Sequence, residues 1–81
     1  MKISIFGLGY VGAVSLACFA RDGHEVIGVD IDQAKLDLIL AGKTPVVEEG
    51  MVDLMAQVVA SGRVRVTADV MEAVRESDVS L

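Results

Sequence analysis

Gly7-Leu8-Gly9-Tyr10-Val11-Gly12 follows the apolar run Ile3-Ser4-Ile5-Phe6 and opens the apolar, alanine-rich segment from Ala13 to Ala20. The order reads as strand, glycine turn and helix start. Each glycine answers a separate demand in such a unit. Gly7 lets the chain leave the strand in a tight turn, Gly9 removes the Cβ that would hold a pyrophosphate off the backbone, and Gly12 lets the helix pack closely on the strand. The first N–H groups of a helix have no acceptor within it and carry the positive end of its dipole, so an anion placed there meets aligned donors. The stretch predicts a phosphate cradle.

A Gly-x-Gly-x-x-Gly match alone is weak, because glycine-rich chains produce near matches by chance and glycine turns also serve tight packing. Its context carries the reading. A second apolar strand, Val26-Ile27-Gly28-Val29, follows and ends in Asp30, eighteen residues after Gly12, where a dinucleotide-binding unit places an acid on the adenosine ribose. A carboxylate there accepts hydrogen bonds from both ribose hydroxyls and repels a 2′-phosphate, which favours NAD over NADP. The next residue is Ile31, so no arginine stands beside Asp30 to receive a phosphate. Lys35, about one turn into the following helix, is within reach of the same ribose, although a lysine on an exposed helix face is most often only solvated.

With 81 residues the chain is at the small end for one domain, and a chain of that size buries only about 60 to 65% of its unfolded surface. Hydrophobic residues make up 53% of it, yet charge and glycine break every apolar run well short of a membrane span. Lys2 and the apolar run after it could be mistaken for a secretion signal. The run is explained as strand and turn and lacks a persuasive cleavage site. A net charge of -5 without a Lys/Arg cluster leaves a nucleic-acid backbone no electrostatic partner. The single cysteine cannot close an internal disulfide, which points to a reducing cytoplasm.

Taken in order, the pattern predicts a strand over Lys2 to Phe6, apolar on both faces, and a helix from Tyr10 to about Arg21. That helix presents Val11, Val14, Ser15, Ala17, Cys18 and Phe19, with Ala13, Ala17 and Ala20 permitting close approach to the sheet. A strand from His24 to Val29 follows, then a helix from about Asp32, its N-cap, to Ala41. Lys43 to Gly50 is a loop interrupted by Pro45, and Met51 to Ala60 is a third helix with Val52, Met55, Val58 and Val59 on one face. Arg63 to Thr67 is the third strand. Asp69-Val70-Met71-Glu72 has the spacing of a capping pair at the start of a fourth helix, and Asp78 to Leu81 begins a fourth strand. The fold class is therefore α/β, a Rossmann-like doubly wound parallel sheet of order 3-2-1-4, truncated within the fourth strand. On this reading the chain is part of a longer polypeptide.

Other reactive side chains have plainer roles. Cys18 sits among Ala17 and Phe19 as a small apolar side chain with no base in sequence reach. His24 is a turn residue at the opposite end of the sheet from the glycine turn, and with no second histidine or cysteine a transition-metal site is unsupported. Glu48 and Glu49 are adjacent in a solvated loop and do not converge on a point.

Across essentially all its length the sequence resembles the UDP-glucose/GDP-mannose dehydrogenase family. The resemblance rests on Gly7-Leu8-Gly9-Tyr10-Val11-Gly12, on Gly23-His24-Glu25-Val26 leading to Val29-Asp30, on Lys35, on Gly42-Lys43-Thr44-Pro45 through Glu48 to Gly50, and on Thr67 to Asp69 ahead of Ser77-Asp78-Val79. Ser4-Ile5-Phe6 and Val11-Gly12-Ala13-Val14 resemble the GDP-mannose 6-dehydrogenases more than the UDP-glucose 6-dehydrogenases. One departure is Glu48-Glu49-Gly50, where the family often reads Glu-Pro-Gly; it bears on the turn and not on the cofactor site. The resemblance implies NAD bound by Tyr10 and Val11 through the glycine turn and by Asp30 and Lys35 through the ribose. It also implies a nucleotide-sugar substrate oxidised from alcohol to carboxylate in two hydride transfers, with polysaccharide biosynthesis as the setting and a homo-oligomeric full-length protein. The catalytic cysteine and the sugar site would lie beyond Leu81, so no catalytic residue is carried by this stretch. A nucleotide-sensing regulatory module of a transporter would use the same strand, glycine turn and acid without chemistry, and fold alone does not separate the two. A flavoprotein is less favoured because of the Tyr10-Val11 pair.

Overall fold

The computed structural model describes residues 1–43 and 50–81; the expected loop residues Thr44, Pro45, Val46, Val47, Glu48 and Glu49 lie outside the described residues. In chain order the elements are β1 (Lys2–Phe6), α1 (Tyr10–Arg21), β2 (Glu25–Val29), α2 (Gln33–Leu40), α3 (Met51–Ala60), β3 (Val64–Thr67), α4 (Val70–Glu76) and β4 (Val79–Ser80). The strands form one sheet of order β3-β2-β1-β4. Every pairing is parallel: Ile3 lies opposite Val26 and Val79, and Val29 lies opposite Phe6 and Thr67. This is the order the sequence pattern predicts for a doubly wound sheet, with β1 and β2 central and their carboxyl ends on one edge.

Successive residues of a strand face opposite sides, and the two faces have different partners. Ile3, Ile5, Val26 and Val64 pack with Ala13, Leu16, Ala17 and Ala20 of α1, Leu36 and Ile39 of α2, and Met55 and Val58 of α3. Ile27 and Val29 pack against Ala73 of α4 in a smaller cluster. The buried stripe of α1 therefore runs through Ala13, Leu16, Ala17 and Ala20. The sequence reading has the alanines right, misses Leu16, and includes Val11, which is 75% exposed.

Ser4 corrects the expectation that β1 is apolar on both faces. It is fully buried, and its hydroxyl lies 2.9 Å from both Ser77 Oγ and Ser80 Oγ, while the Ser77 hydroxyl donates to the Ala73 carbonyl at 2.7 Å. A buried hydroxyl needs such partners, and these three tie β1, α4 and β4 together. Asp32 and Asp69 are the helix caps they were expected to be, accepting from the N–H groups of Ala34 and Glu72. The reciprocal half of the capping pair is replaced. Thr67 Oγ1 accepts the Asp69 N–H at 3.0 Å, and the Glu72 carboxylate meets Arg65 at 3.3 Å instead. The opposite charge on the edge strand outcompetes a neutral backbone donor.

β2 begins at Glu25, one residue later than expected, and β4 is confined to Val79–Ser80. Its hydrogen bonding to β1 extends past both ends of the strand: Asp78 N–H donates to the Lys2 carbonyl at 2.7 Å and Leu81 N–H to that of Ser4 at 2.8 Å. No helix among the described residues is long and apolar enough to cross a membrane.

Candidate functional site: a cofactor cradle at the strand carboxyl ends

The glycine turn joins β1 to α1, and its backbone explains two of its three glycines from within the protein. Gly7 has φ +88, a left-handed conformation that side chains strain to adopt, and its N–H donates to the Val29 carbonyl at 2.8 Å. A Cβ on Gly12 would stand 1.8 Å from the Gly7 carbonyl oxygen, so only glycine lets the first turn of α1 close over the turn that precedes it. The close approach expected here is thus made first to the turn's own carbonyl and only then to Ile5 of β1, whose Cγ2 lies 3.7 Å away.

Gly9 is different. It is the N-cap of α1 with φ -75 and ψ -157, an extended conformation open to other residues, and it offers α1 no side-chain cap. A Cβ there would meet no atom of the described residues within 4 Å. Neither strain nor packing among the described residues accounts for glycine at this position, whereas close approach of a ligand to the backbone does. Donors at a helix mouth and a missing Cβ are what a pyrophosphate requires, so these residues fit a dinucleotide.

Asp30 stands at the end of β2 with its side chain 9% exposed. Its Oδ2 accepts the Leu8 N–H at 2.8 Å and its Oδ1 accepts the Asp32 N–H at 2.9 Å. These bonds, first that of Leu8 and then that of Asp32, hold its pKa below the ordinary carboxylate value against the opposing effect of burial; the Lys35 ammonium adds a smaller push in the same direction. Lys35 Nζ lies 3.9 Å from Asp30 Oδ2 and its side chain is 45% exposed, a loose ion pair over the same spot.

Two hollows meet at Phe6 and Gly7. One, of about 380 Å³, is lined by Gly9, Val11, Gly12, Ser15 and Leu81 among others; the second, of about 230 Å³, is lined by Val29, Asp30 and Ile31. The structure therefore brings Gly7, Gly9, Val11, Gly12 and Asp30 to one mouth, with Lys35 at its side and Tyr10, 56% exposed, in the first turn of α1. A larger hollow, about 760 Å³, lies at the opposite end of the strands between Lys2, Glu25, Arg63, Arg75 and Glu76. Lys2 and Glu25 pair there at 3.8 Å, Glu76 turns to Arg65 outside it, and none of its lining comes from the glycine turn, so size does not mark the site here.

Sequence reasoning missed Leu8 and Gly28. Leu8 is 1% exposed, and a Cβ on Gly28 would come within 3.1 Å of both its methyl groups and 2.9 Å of Leu16 Cδ1. Gly28 thus makes room for the side chain that seats the glycine turn on β2. A glycine in the middle of an otherwise branched strand was the available signal, since such a residue often marks close approach.

A parallel doubly wound sheet, a glycine turn at the first strand's carboxyl end and a half-buried acid at the second's define a dinucleotide-binding α/β unit of the Rossmann type. Residues 1–81 match the NAD binding domain of the UDP-glucose/GDP-mannose dehydrogenase family, and the chain belongs to that family. It is 58% identical over 81 residues to GDP-mannose 6-dehydrogenase of Pseudomonas putida, covering 100% of this chain and 18% of that protein. It is 48% identical over 79 residues to UDP-glucose 6-dehydrogenase of Rhizobium meliloti, covering 98% of this chain and 18% of that one. Among solved structures, a ternary complex of GDP-mannose dehydrogenase from Pseudomonas aeruginosa superposes with a TM-score of 0.94 at 55% identity, over 99% of this chain and 18% of that one. A UDP-glucose dehydrogenase from Pyrobaculum islandicum superposes with a TM-score of 0.90 at 33% identity, covering 98% and 18%. The chain therefore spans about 18% of the length of these relatives.

Proposed function

We propose that this chain is the amino-terminal part of the NAD-binding domain of a nucleotide-sugar 6-dehydrogenase, with GDP-mannose as the favoured substrate and UDP-glucose as the alternative. The observation that carries the cofactor reading is Gly9, a glycine for which the described residues supply no reason and a bound pyrophosphate does. The greater identity to GDP-mannose 6-dehydrogenases than to UDP-glucose 6-dehydrogenases supports the choice of sugar nucleotide.

In this reading the α1 mouth, with Tyr10 and Val11 in its first turn, takes the pyrophosphate against Gly7, Gly9 and Gly12. Asp30 accepts from the adenosine ribose hydroxyls and repels a 2′-phosphate, while Lys35 stands beside it as a second polar contact. NAD, when bound, supplies the hydride acceptor. Overall the primary alcohol and water become a carboxylate as two NAD are reduced to two NADH with release of three protons. Residues 1–81 bind and orient the cofactor, and sugar recognition and the reacting groups belong to other parts of the intact protein. That protein works as a homo-oligomer in the cytoplasm and feeds polysaccharide biosynthesis with a sugar acid.

Turnover tests the reading. The intact protein incubated with GDP-mannose and NAD is expected to yield two NADH per sugar nucleotide consumed; NADH production with UDP-glucose alone moves the assignment to the alternative substrate. Absence of NADH with either sugar nucleotide, in a protein that still binds NAD, favours a non-catalytic sensor.

A further inference from the structure

Asp30 is occupied before any ribose arrives. One of its oxygens holds the Leu8 N–H at 2.8 Å and the other holds the Asp32 N–H at 2.9 Å, so a single carboxylate links the entrance of α1 to the entrance of α2. Leu8 itself is seated by its side chain in the space left by Gly28, and the preceding Gly7 N–H is fixed to the Val29 carbonyl at 2.8 Å. The glycine turn is thus attached to β2 at three consecutive points: one main-chain bond, one side-chain packing contact and one bond to Asp30.

Without Asp30, the amide of a residue only 1% exposed loses its acceptor, and a buried donor left unpaired is costly enough to move the backbone that bears it. A carboxylate has about four acceptor sites, so two amides still leave room for ribose hydroxyls. We propose that Asp30 is a latch on the glycine turn, a positioning residue that sets the pyrophosphate cradle in place as well as a ligand of the ribose. The proposal rests on the NAD reading above for the identity of the ligand. The latch itself rests only on the hydrogen bonds within the chain. It follows that the phosphate half of the site depends on Asp30 even for a cofactor that cannot touch it.

The test uses the intact protein as wild type, Asp30→Ala and Asp30→Asn. The asparagine keeps the shape of the aspartate, but its NH2 cannot accept, so it cannot serve both amides. Two quantities are read: hydrogen–deuterium exchange of residues 7–12 without cofactor, and dissociation constants for NAD and for an NAD analogue whose adenosine ribose lacks both hydroxyls. Both variants are expected to raise exchange over residues 7–12 while the segments 51–60 and 64–67 keep wild-type protection. The analogue is expected to bind each variant about tenfold more weakly than wild type, the worth of one charge-assisted hydrogen bond. Unchanged exchange over residues 7–12, or equal affinity of the analogue for all three proteins while NAD weakens, would overturn the latch and leave Asp30 as a ribose ligand alone. A rise in exchange spread evenly through the core segments would also overturn it, since that marks a general loss of stability. Failure of wild type to bind NAD would sink the cofactor reading, and the exchange measurement would still decide the latch.

Discussion

Gly9 and Gly12 sit three residues apart in one turn, yet the structure assigns them opposite vulnerabilities. A methyl group on Gly12 collides with the Gly7 carbonyl, a backbone atom that cannot turn aside, so Gly12→Ala should lower the melting temperature and abolish NAD binding together. A methyl group on Gly9 meets no atom of the described residues within 4 Å, so Gly9→Ala should change stability by no more than about 0.5 kcal/mol while NAD binding falls more than tenfold. Thermal melts and NAD titrations of both variants check the contrast, and equal losses of stability would refute it. At Asp30, replacement by Ala should weaken NAD binding by about 1.5 to 3 kcal/mol, the worth of a charged hydrogen-bonding group, and NADP binding less, since relief of the like-charge repulsion offsets the loss of the latch. Folding lowers the Asp30 pKa from 3.8, so its ionised form stabilises the folded state above that pH, and this contribution is lost as the pH falls through the lower folded value. Acid unfolding followed by circular dichroism should therefore begin from lower stability in Asp30→Ala and depend less on pH in that range. The tight turn at Gly7 and the place of Asp30 at the end of β2 were legible in the sequence because turn chemistry and strand ends are local. The bond from Leu8 to Asp30 was not, since nothing in the pattern says which amide a carboxylate will meet 22 positions away.

The helices and strands were read from punctuation, and they are where punctuation put them. Gly7, Gly23, Gly42 and Gly62 each adopt positive φ next to an element boundary, and Asp32 and Asp69 cap helices α2 and α4. Asp69→Ala should destabilise the chain by about 1 kcal/mol, the usual effect of losing such a cap. A denaturant titration measures this, and an unchanged midpoint would show that the Asp69 bond to the Glu72 N–H adds nothing. Where the element-level reading failed, tertiary contact decided. Glu72 turned to Arg65 on β3 rather than back to its own helix, and Ser4 turned β1 partly polar because Ser77 and Ser80 come to meet it from more than seventy residues away. The stripe of α1 shifted from Val11 to Leu16 because the glycine turn fixes the rotation of the helix, placing Val11 toward the hollow beside that turn rather than the core.

At the scale of the whole molecule, apolar side chains remain uncovered on β1, β4 and α4. Phe6 on β1, Val79 on β4 and Leu81 just past it are exposed, as are Val70, Met71 and Val74 on α4. A chain of this length expressed alone should therefore melt at low temperature with a broad transition, or self-associate. Sedimentation velocity with a thermal melt decides this, and a monodisperse monomer with a steep, high transition would count against it. The sheet order 3-2-1-4 was legible because right-handed crossovers leave few topologies, and family membership was legible from the glycine turn, Asp30 and Lys35 in their order along the chain. The central claim is that the mouth formed by the glycine turn and Asp30 holds NAD and excludes its 2′-phosphorylated counterpart. Calorimetric titration of the intact wild-type protein with NAD and NADP tests that most directly. NAD should bind at least about tenfold more tightly, the discrimination expected when a carboxylate accepts two hydroxyls from one cofactor and faces a like charge on the other. Equal affinities, or a preference for NADP, would contradict the account.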